Sequence, residues 1–599
     1  MSTEQSQAIA AERTMSDLAE RAAAEHGAKP AIRHREGDEW RSVGFDELLR
    51  IVDEVALGLV ALGIEAGDRV CVLANTRPEW SYASLAISRA GGVVVPIYPT
   101  NSPEECEWVV GNSEARAVFG ENAEQLAKVE RIRANLPALE HLLAFEALEG
   151  AISLEELRER GAGGDADELR RRGEAVTPDD AYTFVYTSGT TGPPKGCVIT
   201  HRNAAAVCSI TREVDLLSTE GDEAYLYLPL AHVFAMVTML GAVEVGAALT
   251  FFGGDTRRII EELGEAKPSY LPSVPRIFEK LYALATAQLE QASPEERRGF
   301  EQAVERGIAV HSREARGEEV PEEMRAALEP ADERIFKHVR RLFGGRLRFA
   351  VSGAAPIAAE ILRFFYAAGV PVLEGWGMTE TCAVGTLNLP DALRFGTIGR
   401  ALPSVEVRTS DDGEIQVRGP VVFREYWRNP EATGEAFTDD GWFRTGDLGE
   451  IDDEGYVRIT GRAKDIIITA GGKNLTPANL ENDLQQSRWI SRAVMYGDRR
   501  PYPVALITLD HEEIEPWAKE RGLSTEPGDL ARDHQVRELI QAEFDRANAR
   551  YAQVEQIKRF AILDHDFSQD EGELTPTLKL KRNVVYDRYA DEFDALYAR

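Results

Sequence analysis

The sequence predicts an α/β fold in which parallel strands alternate with helices. Two strand–helix–strand runs carry this prediction: "RVCVLA", "PEWSYASLAISRAG" and "GVVVPIY", and later "LRFAVSG", "IAAEILRFFYAAG" and "VPVLEGWG". A strand that returns parallel to its predecessor needs a crossover helix of about this length. In such sheets ligands gather beyond the carboxyl ends of the strands, so we expect the functional site there.

Three further stretches complete the predicted order of elements. Residues 276–343 are charged and helix-forming, which predicts a helical insertion; a lid, a dimer contact and a solvated excursion all fit it. "VEVRTSDDGEIQVRG" and "EIDDEGYVRITGR" each predict a hairpin of alternating strands around an acidic turn. "RAVMYGDRRPYPVALITLD" predicts another strand pair. We therefore expect a large N-terminal domain over 1–461 and a smaller α+β domain over 462–599.

Composition disfavours several classes of partner. The 599 residues, 43% hydrophobic, suffice for several domains with buried cores. The net charge of −33 disfavours a protein that wraps nucleic acid or lies on an anionic membrane. Five scattered cysteines without metal-ligand spacing predict reduced thiols and a cytoplasmic location. The N-terminus lacks the basic and apolar segments of a signal peptide.

One apolar stretch tests whether the chain crosses a membrane. "AMVTMLGAVEVGAALTFF" has the length of a span, but Glu244 lies near its middle and two glycines interrupt it. A charge is costly in lipid, so the stretch predicts a buried helix followed by a buried strand. A weak peripheral membrane contact stays open.

The stretch "YTSGTTGPPKGCVITHRN" has the composition of a phosphate-binding loop. It is not a kinase-type P-loop, because Pro194 precedes Lys195, no Ser or Thr follows the lysine, and strand patterns flank the loop on both sides. Hydroxyls, glycine N–H groups and one ammonium in a loop between strands suit a polyphosphate chain. The alternative is a polar hairpin tip, which needs only the glycines and prolines.

This stretch also resembles the phosphate-loop signature of the adenylate-forming (ANL) superfamily. Five further motifs resemble that family in its order: "SGAAP", "GWGMTET", "RTGDLG", "GRAKDIIITAGGKN" and "LTPTLKLKR". Trp376 stands where the family usually has tyrosine, and Leu578 where many members have glycine. The resemblance covers nearly the whole chain, and several motifs resemble bacterial long-chain fatty acyl-CoA synthetases.

The resemblance implies a reaction in two halves. A fatty acid carboxylate attacks the α-phosphate of ATP and expels pyrophosphate; the thiol of coenzyme A then attacks the acyl-adenylate and expels AMP. The expected substrates and cofactors are therefore a fatty acid, ATP, coenzyme A and Mg²⁺. The resemblance also implies a β-barrel-like part in the N-terminal domain, a mobile C-terminal domain, and leaves a homodimer open.

The resemblance further implies which residues contact the nucleotide and the metal. Glu380 and Thr187 would hold Mg²⁺, Thr379 would contact the α-phosphate, and Asp447 would accept hydrogen bonds from the ribose hydroxyls. Trp376 offers a face for adenine, with plain core packing as its alternative. The nucleotide-binding set comprises Thr187, Ser188, Gly189, Thr190, Thr191, Gly192, Lys195, Ser352, Gly353, Ala354, Ala355, Glu374, Gly375, Trp376, Gly377, Thr379, Asp447 and Arg462.

Three more residues take roles by the same resemblance. Lys579 is the candidate catalytic lysine of the first half-reaction, with Lys581 as its rival two residues on. Such a lysine stabilises charge rather than acting as a base, because an unperturbed ammonium stays protonated at neutral pH. Lys464 occupies the hinge position. His232 is either a residue that closes the acyl pocket or a satisfied core histidine.

Two other activities and one non-catalytic function are alternatives to a long-chain fatty acyl-CoA synthetase. A fatty acyl-AMP ligase that delivers to a carrier protein shares the first half-reaction, and the acid need not be a long-chain fatty acid. A nucleotide-sensing module without catalysis is disfavoured by the joint presence of Lys579, Glu380 and Asp447. The exact chain length of the acid is not readable from the sequence.

Overall fold

A computed structural model describes residues 13–37, 39–187, 193–217, 221–286, 293–470, 473–575 and 579–598. The α-helices are α1 Leu18–His26, α2 Phe45–Ala61, α3 Pro78–Arg89, α4 Pro103–Ser113, α5 Ala123–Ile132, α6 Leu154–Gly161, α7 Ala166–Ala175, α8 His201–Val214, α9 Val233–Val245, α10 Ile259–Ala266, α11 Pro275–Thr286, α12 Pro294–Ala315, α13 Glu322–Ala331, α14 Lys337–Leu342, α15 Ala359–Ala367, α16 Pro430–Ala436, α17 Pro477–Gln485, α18 His511–Glu520, α19 Pro527–Leu530, α20 His534–Asn548, α21 Arg582–Arg588 and α22 Ala590–Tyr597.

The β-strands are β1 Pro30–Glu36, β2 Glu39–Gly44, β3 Arg69–Leu73, β4 Val93–Ile97, β5 Ala117–Gly120, β6 His141–Ala144, β7 Ile152–Ser153, β8 Ala181–Thr187, β9 Lys195–Thr200, β10 Glu223–Leu226, β11 Ala248–Phe251, β12 Tyr270–Ser273, β13 Phe349–Ser352, β14 Val372–Trp376, β15 Thr386–Leu387, β16 Arg400–Ala401, β17 Glu406–Thr409, β18 Glu414–Arg418, β19 Glu425–Tyr426, β20 Phe443–Ile451, β21 Val457–Arg462, β22 Ile467–Ile468, β23 Asn474–Leu475, β24 Ile490–Tyr496, β25 Val504–Leu509 and β26 Arg559–Ile562. Turns of 3-10 helix lie at Arg133–Asn135, Thr256–Arg258, Thr379–Thr381 and Ala463–Asp465, and a π-helical turn at Asp332–Phe336.

Two large sheets form the body of the fold. One has the strand order β16-β15-β14-β13-β12-β10-β11-β1-β2 and the other β19-β9-β8-β4-β3-β5-β6-β7. Most neighbours pair in parallel, including β3 with β4 and β13 with β14, which are the two predicted strand–helix–strand runs. Every residue of β4 is buried, as expected of a parallel strand covered by helices on both faces. The predicted α/β class is confirmed.

The phosphate-loop stretch lies between two strands, as predicted. β8 and β9 pair antiparallel with Thr187 opposite Lys195, so one strand precedes the stretch and another follows it. A kinase-type loop would instead lead from a strand into a helix. The predicted nucleotide contacts of Ser188, Gly189, Thr190, Thr191 and Gly192 fall outside the described residues.

The stretch that resembled a membrane span is a buried helix and a buried strand, α9 and β11. Glu244 has only 2% of its side chain exposed and forms ion pairs with Arg13, Arg21 and Arg212. Three arginines therefore compensate the buried carboxylate. Among the helices that the structure describes, none has the length and apolar character to cross a membrane.

The described part of 276–343, where a helical insertion is predicted, contains the helices α11 to α14. Its apolar side chains join one cluster in which Phe278, Phe336 and Phe343 are fully buried together with Phe365 of α15. The insertion is thus packed onto the sheet with β13 and β14 rather than projecting freely into solvent.

Both predicted hairpins are present in an antiparallel sheet of order β17-β18-β20-β21, where the β-barrel-like part was expected. The predicted strand pair after Arg462 is β24 with β25, joined in parallel by β26. A separate cluster of buried residues, among them Leu484, Ile507 and Ile540, fills this smaller α+β part.

The smaller part contacts the larger one through polar groups. Arg276 of α11 pairs with Asp510, and the Lys280 ammonium lies 3.3 Å from a Glu512 carboxylate oxygen. The Gln569 amide donates to the Thr100 carbonyl at 3.0 Å. These contacts fix where the carboxy-terminal lysine motif lies relative to the large sheets.

Candidate active site

The candidate site lies where the carboxyl ends of β13 and β14 meet the antiparallel sheet and the phosphate-loop strands. β14 carries Glu374, Gly375 and Trp376, and Gly377 follows directly. A Cβ at Gly377 would lie 2.3 Å from the Ala383 carbonyl carbon, so only glycine allows the backbone to fold back here. This turn places Thr379 and Glu380 beside the strand end.

Trp376, Asp447 and Arg462 form one hydrogen-bonded group. The Trp376 indole N–H donates to one Asp447 oxygen at 2.8 Å, and the Arg462 Nε donates to the other at 2.7 Å. Asp447 is 4% exposed, so both of its oxygens are held in fixed directions. The charge of Asp447 raises the pKa of Arg462. The sequence did not predict that the tryptophan uses its N–H group on this carboxylate.

Glu380 is linked to the phosphate-loop lysine through Tyr426. The Tyr426 hydroxyl donates to a Glu380 oxygen at 2.8 Å, and the Lys195 ammonium lies 5.0 Å from the centre of the same ring. Glu380 is 8% exposed, and Thr379 beside it is half-buried. Sequence reasoning missed Tyr426; its only signal was its place in "REYWRNPEAT", a stretch that matched none of the motifs considered.

The two ends of the phosphate loop are held by the surrounding structure. The Thr187 hydroxyl donates to the Lys195 carbonyl at 3.5 Å, across the strand pair. The Trp108 indole N–H donates to the Pro194 carbonyl at 2.8 Å, although the tryptophan is 39% exposed. Trp108 was also missed from the sequence, where it appears as an ordinary helical residue of α4.

The loop "SGAAP" follows β13 and adjoins the same site. The Ser352 hydroxyl is buried and has no hydrogen-bond partner among the described residues. Ala354 has a φ of 69°, a left-handed conformation that costs energy for a residue with a Cβ. Gly353 donates its N–H to the Ser273 carbonyl at 3.3 Å, and Ala355 is exposed. An unsatisfied hydroxyl and a strained turn together are typical of a ligand-binding loop.

Lys579 faces this group of residues from the smaller part of the chain. Two hydrogen bonds join Thr575 and Lys579: the Thr575 N–H donates to the Lys579 carbonyl at 2.8 Å, and the Lys579 N–H donates to the Thr575 hydroxyl at 3.0 Å. Desolvation and the nearby Arg462 lower the pKa of Lys579, while Asp447 and Glu380 oppose that shift. The ammonium therefore lies within electrostatic range of both acidic site residues. Lys581 instead is the residue just before α21, and its N–H donates to the Glu573 carbonyl.

Two further predicted residues have strongly shifted pKa values. Desolvation, with repulsion from Lys579, lowers the pKa of His232 to about 4, so the ring is neutral at pH 7. Its Nδ1 accepts the Phe234 N–H at 3.2 Å and caps α9. Burial raises the pKa of Glu374 to about 8. Perturbed values of this size cluster at functional sites.

The acidic side chains of the site bear on whether it could hold a divalent cation. In the part of the chain that the structure describes, no three His, Cys, Asp or Glu side chains group closely enough to hold a metal alone. Mg²⁺ is usually bound through one or two carboxylates together with substrate phosphates. A buried Glu380 beside a phosphate-type loop fits that pattern. Lys464 lies apart, exposed on the 3-10 turn Ala463–Asp465.

A fixed carboxylate, the two strands that flank the phosphate-type stretch and a lysine from the smaller part therefore converge at these strand ends. That combination is the class of site expected of an adenylate-forming enzyme. The profile of the AMP-binding enzyme family matches residues 19–427, and that of the AMP-binding enzyme C-terminal domain matches residues 464–599. The chain belongs to the AMP-binding enzyme family, which confirms the resemblance drawn from the motifs.

Comparison with individual proteins agrees with this membership. The chain is 41% identical over 563 residues to the long-chain-fatty-acid–CoA ligase FadD15 of Mycobacterium bovis, covering 93% of this chain and 92% of that protein. It is 30% identical over 620 residues to the long-chain-fatty-acid–CoA ligase ACSBG2 of Xenopus laevis, covering 98% and 84%. The solved structure of the anthranilate CoA ligase AuaEII with anthranoyl-AMP has the same fold, with a TM-score of 0.72, 21% identity and coverage of 98% and 99%.

Proposed function

We propose that the protein is a long-chain fatty acid–CoA ligase that forms a fatty acyl-adenylate from ATP and then an acyl-CoA. The single observation that carries the proposal is the convergence of Lys579 with Asp447 and Glu380 at the strand ends. The names of the full-length relatives support the ligase activity and the fatty acid as substrate.

In the proposal, Asp447 accepts hydrogen bonds from the ribose hydroxyls. Each carboxylate oxygen has a second lone pair beyond those used by Trp376 and Arg462, so the group accepts ligand hydroxyls without losing its supports. The face of Trp376 packs on adenine. The unpartnered Ser352 hydroxyl, with Gly353 to Ala355, borders the base, and Glu374 to Gly377 line the strand end.

Glu380 would hold Mg²⁺, with Thr187 as a second oxygen donor. When bound, the ion shields the phosphate charges that otherwise repel an incoming carboxylate. Lys195 and the loop hydroxyls contact the β- and γ-phosphates, which leave as pyrophosphate. Thr379, next to Glu380, contacts the α-phosphate.

Lys579 stabilises the charge that develops between the fatty acid carboxylate and the α-phosphate. A fixed cation stabilises a transition state most when it lies where negative charge develops, in a site from which water is excluded. Lys579 lies within electrostatic range of Asp447 and Glu380, which supports this role over Lys581, the residue just before α21. His232 is neutral because burial and the charge of Lys579 lower its pKa. In the proposal its ring borders the acyl group.

The second half-reaction requires Lys579 to withdraw so that coenzyme A can reach the acyl-adenylate. We place the division between a large domain, 1–461, and a mobile domain, 462–599, with Lys464 as the hinge. The separate buried cluster of the smaller part supports this division. Hinges are commonly a few residues between elements that absorb the change in backbone angles. A cytoplasmic location completes the proposal and is supported by five free cysteines.

ATP–pyrophosphate exchange with carboxylic acids of graded chain length, followed by addition of coenzyme A, tests the proposal. Exchange that rises with chain length and is followed by thioester formation is expected, since each buried methylene contributes about 0.8 kcal/mol. No exchange with any fatty acid would contradict the substrate class. Exchange without a thioester would favour a ligase that delivers the acyl group to a carrier protein.

A further inference from the structure

Tyr426 lies at the junction between the phosphate loop and the carboxylate proposed to hold Mg²⁺. It belongs to β19, which pairs antiparallel with β9 so that Tyr426 is opposite Cys197. The Trp427 N–H donates to the Gly196 carbonyl at 2.7 Å, next to Lys195. β19 is thus fastened to the strand on which the phosphate loop ends.

The same segment is fastened to the turn that carries Glu380. The Phe423 N–H donates to the Glu380 carbonyl at 2.8 Å. Phe423 also packs on Tyr426, with ring centres 4.7 Å apart, and on Phe443 of β20. The Tyr426 N–H donates to the Thr433 hydroxyl at 3.0 Å. Backbone and ring of Tyr426 are therefore held from several sides.

The side chain of Tyr426 then contacts both functional groups at once. Its hydroxyl donates to Glu380 at 2.8 Å, and its ring face lies under the Lys195 ammonium at 5.0 Å. A hydrogen bond to a buried carboxylate fixes its direction, and an aromatic face attracts a cation within about 6 Å.

We propose that Tyr426 is a positioning residue that orients Glu380 for the metal with its hydroxyl and seats Lys195 with its ring before ATP arrives. This inference rests on the proposed function, because it assigns Glu380 to Mg²⁺ and Lys195 to the phosphates. Groups that hydrogen-bond a metal ligand typically contribute tenfold or more to metal affinity, roughly 10–100-fold on removal. Tyr426 does not itself touch the reacting atoms.

The experiment measures nucleotide binding by titration calorimetry in the whole protein, with two probes. The non-hydrolysable α,β-methylene-ATP is titrated with Mg²⁺ present and with EDTA, and AMP is titrated with EDTA. Tyr426→Phe removes the hydroxyl and keeps the ring; Tyr426→Leu removes both. The matched control is Tyr225→Phe, because the buried Tyr225 hydroxyl also donates to a glutamate, Glu262, at 2.8 Å but away from the site.

Tyr426→Phe is expected to weaken Mg²⁺-supported binding of the analogue about tenfold and to leave AMP binding unchanged. Tyr426→Leu is expected to weaken binding of the analogue in EDTA as well, because the Lys195 ammonium then loses its contact with the aromatic ring. Lys195→Met should reproduce that metal-independent loss, because it removes the same ammonium from the site, and Tyr426→Phe, which keeps the ring, should not show it. Tyr225→Phe should match the unaltered protein with both probes.

A Tyr426→Phe protein that binds the Mg²⁺-supported analogue as tightly as the unaltered protein would overturn the inference alone. An equal loss for AMP would show a general structural role and would also overturn it. Failure of the unaltered protein to bind either nucleotide would overturn the proposed function, and with it this inference. The three results are distinguishable within one set of titrations.

Discussion

At the scale of single residues, the site depends on a few side chains that orient a carboxylate. Asp447 is buried, and its two oxygens accept hydrogen bonds from Trp376 at 2.8 Å and from Arg462 at 2.7 Å. A carboxylate with both oxygens engaged cannot rotate, so ligand hydroxyls meet it in one direction. The replacement of the usual tyrosine by Trp376 thus supplies an N–H group that works on Asp447 as well as a ring face.

Trp376→Phe keeps an aromatic face and removes that N–H group. AMP binding should weaken by about tenfold, the size of one hydrogen bond to a charged group. Isothermal titration of AMP measures it. Trp442→Phe is the control, since Trp442 packs between Arg408 and Arg418 away from the site. Unchanged AMP affinity in Trp376→Phe would contradict the role of the indole N–H.

Glu374 gives a prediction about pH. Its folded pKa of about 8 lies above the usual value of 4.5, so the folded protein keeps a proton that the unfolded chain releases between these limits. Stability from this group is present below pH 4.5 and is lost as pH rises towards 8. Glu374→Gln should therefore melt higher than the unaltered protein at pH 8.5 and alike at pH 5. The exposed Glu435→Gln is the control; a pH-independent difference would refute the assignment.

The residues that sequence reasoning found and missed differ in a physical way. Some site residues lie inside motifs whose residue types indicate their chemistry; these are Asp447, Glu380, Lys195 and Lys579. Tyr426 acts through contacts to residues more than 40 positions away, and an aromatic residue in an ordinary strand gives no local signal of that. The indole N–H of Trp376 was missed for the same reason, because its partner is 71 positions along the chain.

At the scale of elements, the strands and helices follow from local patterns, and their close approaches do not. α2 and α6 pack directly together because Gly58 and Gly161 face the partner helix. A Cβ at Gly58 would lie 2.2 Å from the Leu157 carbonyl oxygen, and one at Gly161 would lie 1.9 Å from the Glu54 carbonyl oxygen. Neither glycine is distinguishable in the sequence from a solvent-facing one.

Gly161→Ala should consequently destabilise the protein, because the clash is with backbone that cannot rotate away. The expected loss is about 1–3 kcal/mol. Gly299→Ala in α12 is the matched control, since nothing lies within 4 Å of its Cβ and alanine favours the helix. Chemical denaturation midpoints measure both. Equal midpoints for the two variants would mean that α2 and α6 are farther apart than described.

At the scale of the whole molecule, a few polar contacts hold the smaller part in the position that brings Lys579 to the site. One of these contacts is the ion pair of Arg276 with Asp510, whose side chain is only 11% exposed to solvent. The Lys280–Glu512 pair is exposed and contributes little. The motif order in the sequence indicated two domains, but these cross-contacts join residues more than 200 positions apart and had no sequence signal.

Asp510→Asn removes the charge that Arg276 meets across the two parts. ATP–pyrophosphate exchange should fall about threefold, the range for one partly exposed charged contact, while thioester formation from a supplied acyl-adenylate is unchanged. Glu512→Gln, two residues further on and exposed, should leave both rates unchanged. If Asp510→Asn lost activity in both half-reactions, the contact would not specifically favour the position of the smaller part that brings Lys579 to the site.

We propose that Lys579, brought to the site by the smaller part, serves the first half-reaction. Its most direct test compares Lys579→Ala and Lys581→Ala in ATP–pyrophosphate exchange and in thioester formation from a supplied fatty acyl-adenylate. Lys579→Ala is expected to abolish exchange and to spare thioester formation, with Lys581→Ala close to the unaltered protein in both. Exchange that survives in Lys579→Ala and disappears in Lys581→Ala would contradict the account.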